Sequence, residues 1–195
     1  MTTKSWTRYY ERAGHEPRET LVFALDRFEE QRRSGFAVDL GCGTGPDTLE
    51  LLRRGWDVLA IDAQREALAR LPDDPRLATQ LAHFEDADWP DADLINASFS
   101  LPFCPPREFP ELWRKIRDTL RSGGRFCGQL FGDRDGWTTG GSPWKGEITF
   151  HSRVELDELV RPFVVERLDE VEEDGETAVG APKHWHVYHL VVRKS

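Results

Sequence analysis

The sequence predicts a three-layer α/β sandwich: a mostly parallel seven-stranded sheet with helices on both faces and an antiparallel last strand. Three observations carry this. Short β-prone apolar runs alternate with amphipathic helical segments along most of the 195 residues, the pattern of a parallel sheet covered on both faces. Three glycines crowd the end of the most apolar early run. The last two β-prone runs have only the polar stretch "DGETAVGAPK" between them, so they form an antiparallel hairpin at the sheet edge.

The elements follow in order. Pro17 to Arg33 forms a helix with Leu21, Val22, Leu25 and Phe28 inward. "FAVDLGC" (36–42) is the first strand, and "DTLELLRRG" (47–55) a helix with Leu49 and Leu52 spaced for one face and Gly55 as its stop. "WDVLAID" (56–62) is the second strand, and "QREALARL" (64–71) a helix ending before Pro72. "LATQLAHF" (77–84) and "DLINAS" (93–98) are the third and fourth strands. "REFPELWRKIRDTLRSGG" (107–124) is an amphipathic helix with Leu112, Trp113, Ile116 and Leu120 on one face and glycine at its end. "GRFCGQLFG" (124–132) is the fifth strand, "SRVELDELVRPF" (152–163) a helix, and "VVERLDEVEED" (164–174) and "HWHVYHLVVRK" (184–194) the sixth and seventh strands. With no repeat, low-complexity tract or linker, one domain is expected over 1–195, in which 1–34 is a segment and helix ahead of the sheet.

Composition narrows the function. A net charge of −9 argues against a nucleic-acid backbone as partner. No apolar run approaches the ~20 residues needed to span a bilayer, and the N-terminal stretch lacks the apolar core of a secretory leader. Three cysteines without a CxxC read as free thiols in a reducing cytoplasm. A monomer or homodimer is expected. Seven tryptophans divide between core filling and pocket walls. The acidic run from Glu166 to Glu176 reads as a solvated edge and turn.

In such a sheet, ligands bind beyond the carboxyl ends of the strands where strand order reverses. Gly41, Gly43 and Gly45 sit there, where glycine permits tight turns and close approach of a ligand. Asp62 ends the second strand, where a carboxylate can accept hydrogen bonds from both hydroxyls of a ribose. A dinucleotide fingerprint needs a small residue where this chain has Pro46, so that pattern fails.

"VDLGCGTG", followed by an acid at the end of the next strand, resembles the class I S-adenosylmethionine-dependent methyltransferases. The resemblance runs from Phe36 to the end and includes the terminal hairpin, and it implies a Rossmann-like sheet with S-adenosylmethionine as cofactor. It implies that Asp39 and the loop of Gly41, Cys42, Gly43 and Gly45 cradle the methionine half. It places Asp62 with Ala63 at the ribose, and Glu85 and Asp86, in "FEDADWP", at the adenine. It places Asn96, Ala97 and Ser98 beside the cofactor and the transferred methyl. The N-terminal "YYERAGHEPRETLVFAL" is somewhat similar to the small-molecule branch that includes tellurite- and thiopurine-modifying enzymes. The segment before the first helix is expected to close as a lid, with Tyr10 over the cofactor and Arg18 on its carboxylate.

Nucleic-acid amino-methylases carry [DNS]-PP-[YFW] after strand four, and this chain reads "NASF", with "CPP" several residues too late. A small-molecule acceptor is therefore expected, in a pocket of Trp6, Phe99, Phe131, Arg134 and Trp137. His184 and His186 share one strand face. Three readings stay open for them: ordinary pocket or surface histidines, a general base, or a metal pair. No third ligand stands at metal-site spacing, so no metal is expected. His189, on the other face, reads as structural. A non-catalytic S-adenosylmethionine-binding module and a nicotinamide-dependent reductase are the alternatives, the latter opposed by Pro46.

Overall fold

The computed structural model describes residues 16–84, 86–139, 146–178 and 180–195. Helix α1 (Glu19–Glu30) leads into β1 (Phe36–Leu40), α2 (Pro46–Arg53), β2 (Asp57–Asp62), the single-turn α3 (Arg65–Leu68), β3 (Leu77–Leu81) and β4 (Ala92–Ala97). There follow a 3₁₀ turn (Leu101–Phe103), α4 (Phe109–Thr119), β5 (Leu120–Gly132), β6 (Phe150–His151), α5 (Arg153–Val160), β7 (Phe163–Glu176) and β8 (Pro182–Lys194). The sheet runs β3-β2-β1-β4-β5-β8-β7, with β6 beside the end of β5. Pairing is parallel except for β8, which runs against both β5 and β7. Order therefore reverses between β1 and β4, and the glycine loop leaves β1 at that switch point.

One core layer packs α4 and α5 on the sheet through Leu112, Trp113, Ile116 and Leu156; the other packs α1 and α2 through Leu21, Leu25, Phe28, Leu51 and Trp56. Phe28 meets Trp56 edge-on at 4.9 Å, so that tryptophan belongs to the core. Trp89 and Trp113 do too, each with its indole N–H satisfied, on Thr119 and on the Leu159 carbonyl.

Several expectations need correction. Among the described residues the sheet has eight strands, because β6 is only two residues long, too short for any alternation to register. The helix through 107–124 stops at Thr119, and "LRSGG" already belongs to β5, entering it through Gly123 at φ +75. Leu49 is 48% exposed. The face of α2 is set by the Thr48 hydroxyl donating to Asp39, which turns Thr48, Leu51 and Leu52 toward the sheet and Leu49 away. Val22 is only half-buried.

Candidate active site

The glycine loop is held at three points. Gly43 N–H donates to Asp62 Oδ2 at 2.9 Å and Gln64 N–H to Asp62 Oδ1 at 2.8 Å, so the carboxylate closing β2 braces both loops. Gly41 stands at φ +70, and a Cβ there would meet the Ser100 side chain at 2.4 Å. Gly45, at φ +89, precedes the proline that opens α2. Cys42 is buried in this loop, and burial pushes its thiol well above the ordinary range, so it is inert packing.

Beneath the loop lies a buried acid cluster. Asn96 Nδ2 donates at 2.9 Å to Asp39 Oδ1 and at 2.9 Å to Asp47 Oδ2. Thr48 Oγ1 donates to Asp39 Oδ2 at 2.6 Å, and the Arg18 backbone N–H donates to Asp47 Oδ1 at 2.8 Å. Burial, and next the neighbouring Asp47 charge, push the Asp39 carboxyl up to about 7. Two buried carboxylates that share one amide nitrogen form a setting that favours a cation or a proton. Asp47 was missed in the sequence, where it reads as an ordinary acid in the first turn of a helix.

Ala63, Gln80, Leu81, Ala82, His83 and Asp86 line an open cleft of about 480 Å³ past β2 and β3. Asp86 and Ala63 therefore stand together, while Glu85, Trp6 and Tyr10, with the rest of the expected lid before Glu16, lie outside the described residues. Ser98 Oγ donates to Asn96 Oδ1 at 3.2 Å, and Ala97 is buried at the end of β4.

Strand register decides which side chains share this face. Asp39 pairs with Asn96, Asn96 with Cys127 and Cys127 with Val191, so these four point to one side. Gln129, Phe131, Val187 and His189 follow on that same side, whereas His184 and His186 point to the other. There His186 is fully buried. Its Nδ1 accepts the Arg134 backbone N–H at 3.1 Å and its Nε2 lies 3.0 Å from Glu170. His184 lies 2.7 Å from Asp174 and 3.3 Å from Glu172, which raise its pKa. Neither histidine faces the acid cluster; the His186 ring pins the loop after β5, and the His184 ring ties β8 to the acids of β7. The Arg134 guanidinium likewise binds Glu170 and Glu172 at 2.8 Å on that far side, which removes it from the expected pocket and makes part of the acidic run structural. Among the described residues no cluster suits a metal ion.

On the Asp39 side, Phe131 centres a group of aromatic rings at the carboxyl ends of β4, β5 and the start of β8. Phe99, Phe103, Trp137, Phe150 and Trp185 surround it with centroids 5.9–6.5 Å away. Lys183 enters the group fully buried, with Nζ 2.7 Å from Asp135 Oδ2 and 3.3 Å from the Trp185 ring centroid. Burial lowers its pKa to about 8 against the opposing pull of Asp135. Nothing in the sequence signalled this pair, since Asp135 is 48 residues away from Lys183.

Comparison with known proteins places this geometry. Residues 37–124 match the family model described as "Methyltransferase domain". The chain has a class I methyltransferase fold. Over 97 residues it is 32% identical to a carboxy-S-adenosyl-L-methionine synthase of Shewanella amazonensis, a match covering 44% of this chain and 40% of that protein. The chain thus matches less than half the length of that curated relative. Among solved structures, TehB from Haemophilus influenzae superposes with a TM-score of 0.72 at 18% identity, covering 89% of this chain and 62% of that one. The 1,6-didemethyltoxoflavin-N1-methyltransferase of Burkholderia thailandensis gives 0.67 at 20% identity, covering 98% and 81%. Magnesium protoporphyrin IX methyltransferase from Synechocystis gives 0.68 at 14%, covering 99% and 95%. The matched domain spans the glycine loop, Asp39, Asp62 and Asn96 of this methyltransferase fold.

Proposed function

We propose that this protein transfers a methyl group from S-adenosylmethionine to a small-molecule acceptor. S-adenosylmethionine is the cofactor of this domain. The observation that carries the reading is the buried pair Asp39 and Asp47, bridged by Asn96 under a glycine loop that Asp62 braces. The donor set suits the group: two carboxylates for an ammonium, left-handed glycines beside it, and an acid at the end of β2. The bound cofactor supplies an activated methyl whose transfer needs only a well-aligned nucleophile, and alignment alone is worth up to ~7–11 kcal/mol.

The chain's residues divide the binding. Asp39 and Asp47 hold the α-ammonium. Arg18, whose backbone is tied to Asp47, reaches the carboxylate with a guanidinium that lies 4.9 Å over Phe99. A carboxylate has about four acceptor sites, so Asp62 can brace the loop and accept from ribose hydroxyls. The cleft beside Ala63 and Asp86 takes the adenine. The aromatic group beyond β4 excludes water from the nucleophile, which strengthens polar contacts there.

Support for a small acceptor comes from the net charge of −9, from the half-buried aromatic rings packed around Phe131, and from structural neighbours named for toxoflavin and porphyrin chemistry. Among the described residues no helix is long and apolar enough to cross a membrane. The test is incubation of the purified protein with methyl-tritiated S-adenosylmethionine and a desalted small-molecule extract. Label in extractable low-mass product supports the reading; label only in added nucleic acid or protein overturns it.

A further inference from the structure

We propose that the aromatic surface of Phe99 and His189 beside β4 and β8 takes a flat, uncharged heteroaromatic acceptor, and that His189 hydrogen-bonds the acceptor's edge. The inference rests on the methyltransferase reading and names the substrate class of that site.

His189 was read from the sequence as structural. The register from Asp39 through Asn96, Cys127 and Val191 instead puts it on the site face, one strand from Gln129. Its ring lies 6.0 Å from Phe99, edge to face, and it is only partly buried. Gln129 ties the two together. Its side-chain oxygen accepts the Phe99 backbone N–H at 3.0 Å. Its amide nitrogen donates to Thr20 Oγ1 at 3.0 Å and stands 3.5 Å from His189 Nδ1. That arrangement makes Nδ1 the acceptor and leaves Nε2–H as a donor. Burial, then the nearby Arg167 charge, lowers the His189 pKa from its ordinary value, which disfavours the charged ring.

Phe99 itself is held at φ +51, a left-handed conformation that disfavours a residue with a Cβ. Such outliers persist where the surroundings force them, and they cluster at ligand sites. Here the outlier directs the Phe99 ring between Phe131, His189 and the Arg18 guanidinium. The half-buried rings of Phe99 and His189, backed by the packed cluster around Phe131, therefore offer an aromatic face with a polar nitrogen at its edge, the chemistry that receives a flat ring with a lone-pair atom at its rim. The charges around it are already matched: Lys183 by Asp135, Arg167 by Asp169 and Glu19, and Arg18, over Phe99, by the cofactor carboxylate, so a charged acceptor finds no unpaired partner here.

The test uses quinolin-2-one and its nonaromatic counterpart δ-valerolactam, which share a polar edge and differ in flat aromatic surface. Each is titrated into the full chain saturated with S-adenosylhomocysteine while the histidine ring resonances are followed by long-range ¹H–¹⁵N NMR. Quinolin-2-one is expected to move the His189 signals and not those of His184 and His186, and to bind at least about tenfold tighter than the lactam. His189→Gln and Phe99→Leu should each weaken it about five- to tenfold, the scale of one lost contact. Equal binding of the two probes, or unmoved His189 signals, overturns the proposal. If S-adenosylhomocysteine itself does not bind, the methyltransferase reading fails instead, so the two failures are distinguishable.

Discussion

A buried carboxyl with a raised pKa leaves a signature in pH. Asp39 binds its proton more tightly in the folded chain, at about 7, than at its ordinary 3.8. Stability of the cofactor-free protein is therefore greatest at low pH through this group. It falls as pH rises between those values, by on the order of 4 kcal/mol if the shift is fully expressed. Thermal melts of wild type and Asp39→Asn from pH 5 to 8 should show that decline in the first and a flatter profile in the second. Affinity for S-adenosylhomocysteine should rise over the same range, because the ammonium needs the carboxylate, with proton release detectable by calorimetry in buffers of different ionisation enthalpy. Asp39 and Asp62 were legible in the sequence because their places in the loop pattern are local. Asp47, Gln129 and Lys183 were not, because each acquires its partner only through folding. Gln129, a lone amide in the apolar "FCGQLFG", is the one that left a trace.

At the scale of elements, β8 and the loop after β5 form one unit. Gly136 N–H donates to the His184 carbonyl at 2.9 Å, Lys183 binds Asp135, and the His186 ring fills the space beside Gly132. A Cβ at Gly132 would stand 2.0 Å from His186 Nδ1. Gly132→Ala should therefore cost about 1–3 kcal/mol, as overpacking does, and lower the melting temperature by several degrees. Asp135→Ala removes the acceptor that keeps Lys183 charged, together with the bonds from the Trp137 and His186 backbone N–H groups, and should cost about 3–5 kcal/mol near neutral pH. The double variant Asp135→Leu with Lys183→Met should recover the ion-pair share of that loss and not the backbone share, by chemical denaturation. Alternation along β8 correctly grouped His184 with His186 but could not say which face meets the site. That required the register between β8 and β5. The same limit hid β6, two residues long, and the early end of α4, where a helical apolar pattern runs on into a strand that begins with Leu120.

For the whole molecule, the alternation of strands and helices was enough to place the glycine loop at the point where strand order reverses, and the structure has that order. The central claim is that this crevice selects S-adenosylmethionine over a dinucleotide. Calorimetric titration of S-adenosylhomocysteine and NAD into wild type and Asp62→Ala tests it most directly. The account predicts S-adenosylhomocysteine binding and no measurable NAD binding. It also predicts a roughly tenfold to few-hundredfold loss in the still-folded Asp62→Ala protein, from charge-assisted hydrogen bonds worth about 1.5–3 kcal/mol each. Tighter binding of NAD, or an unchanged dissociation constant in Asp62→Ala, would contradict it.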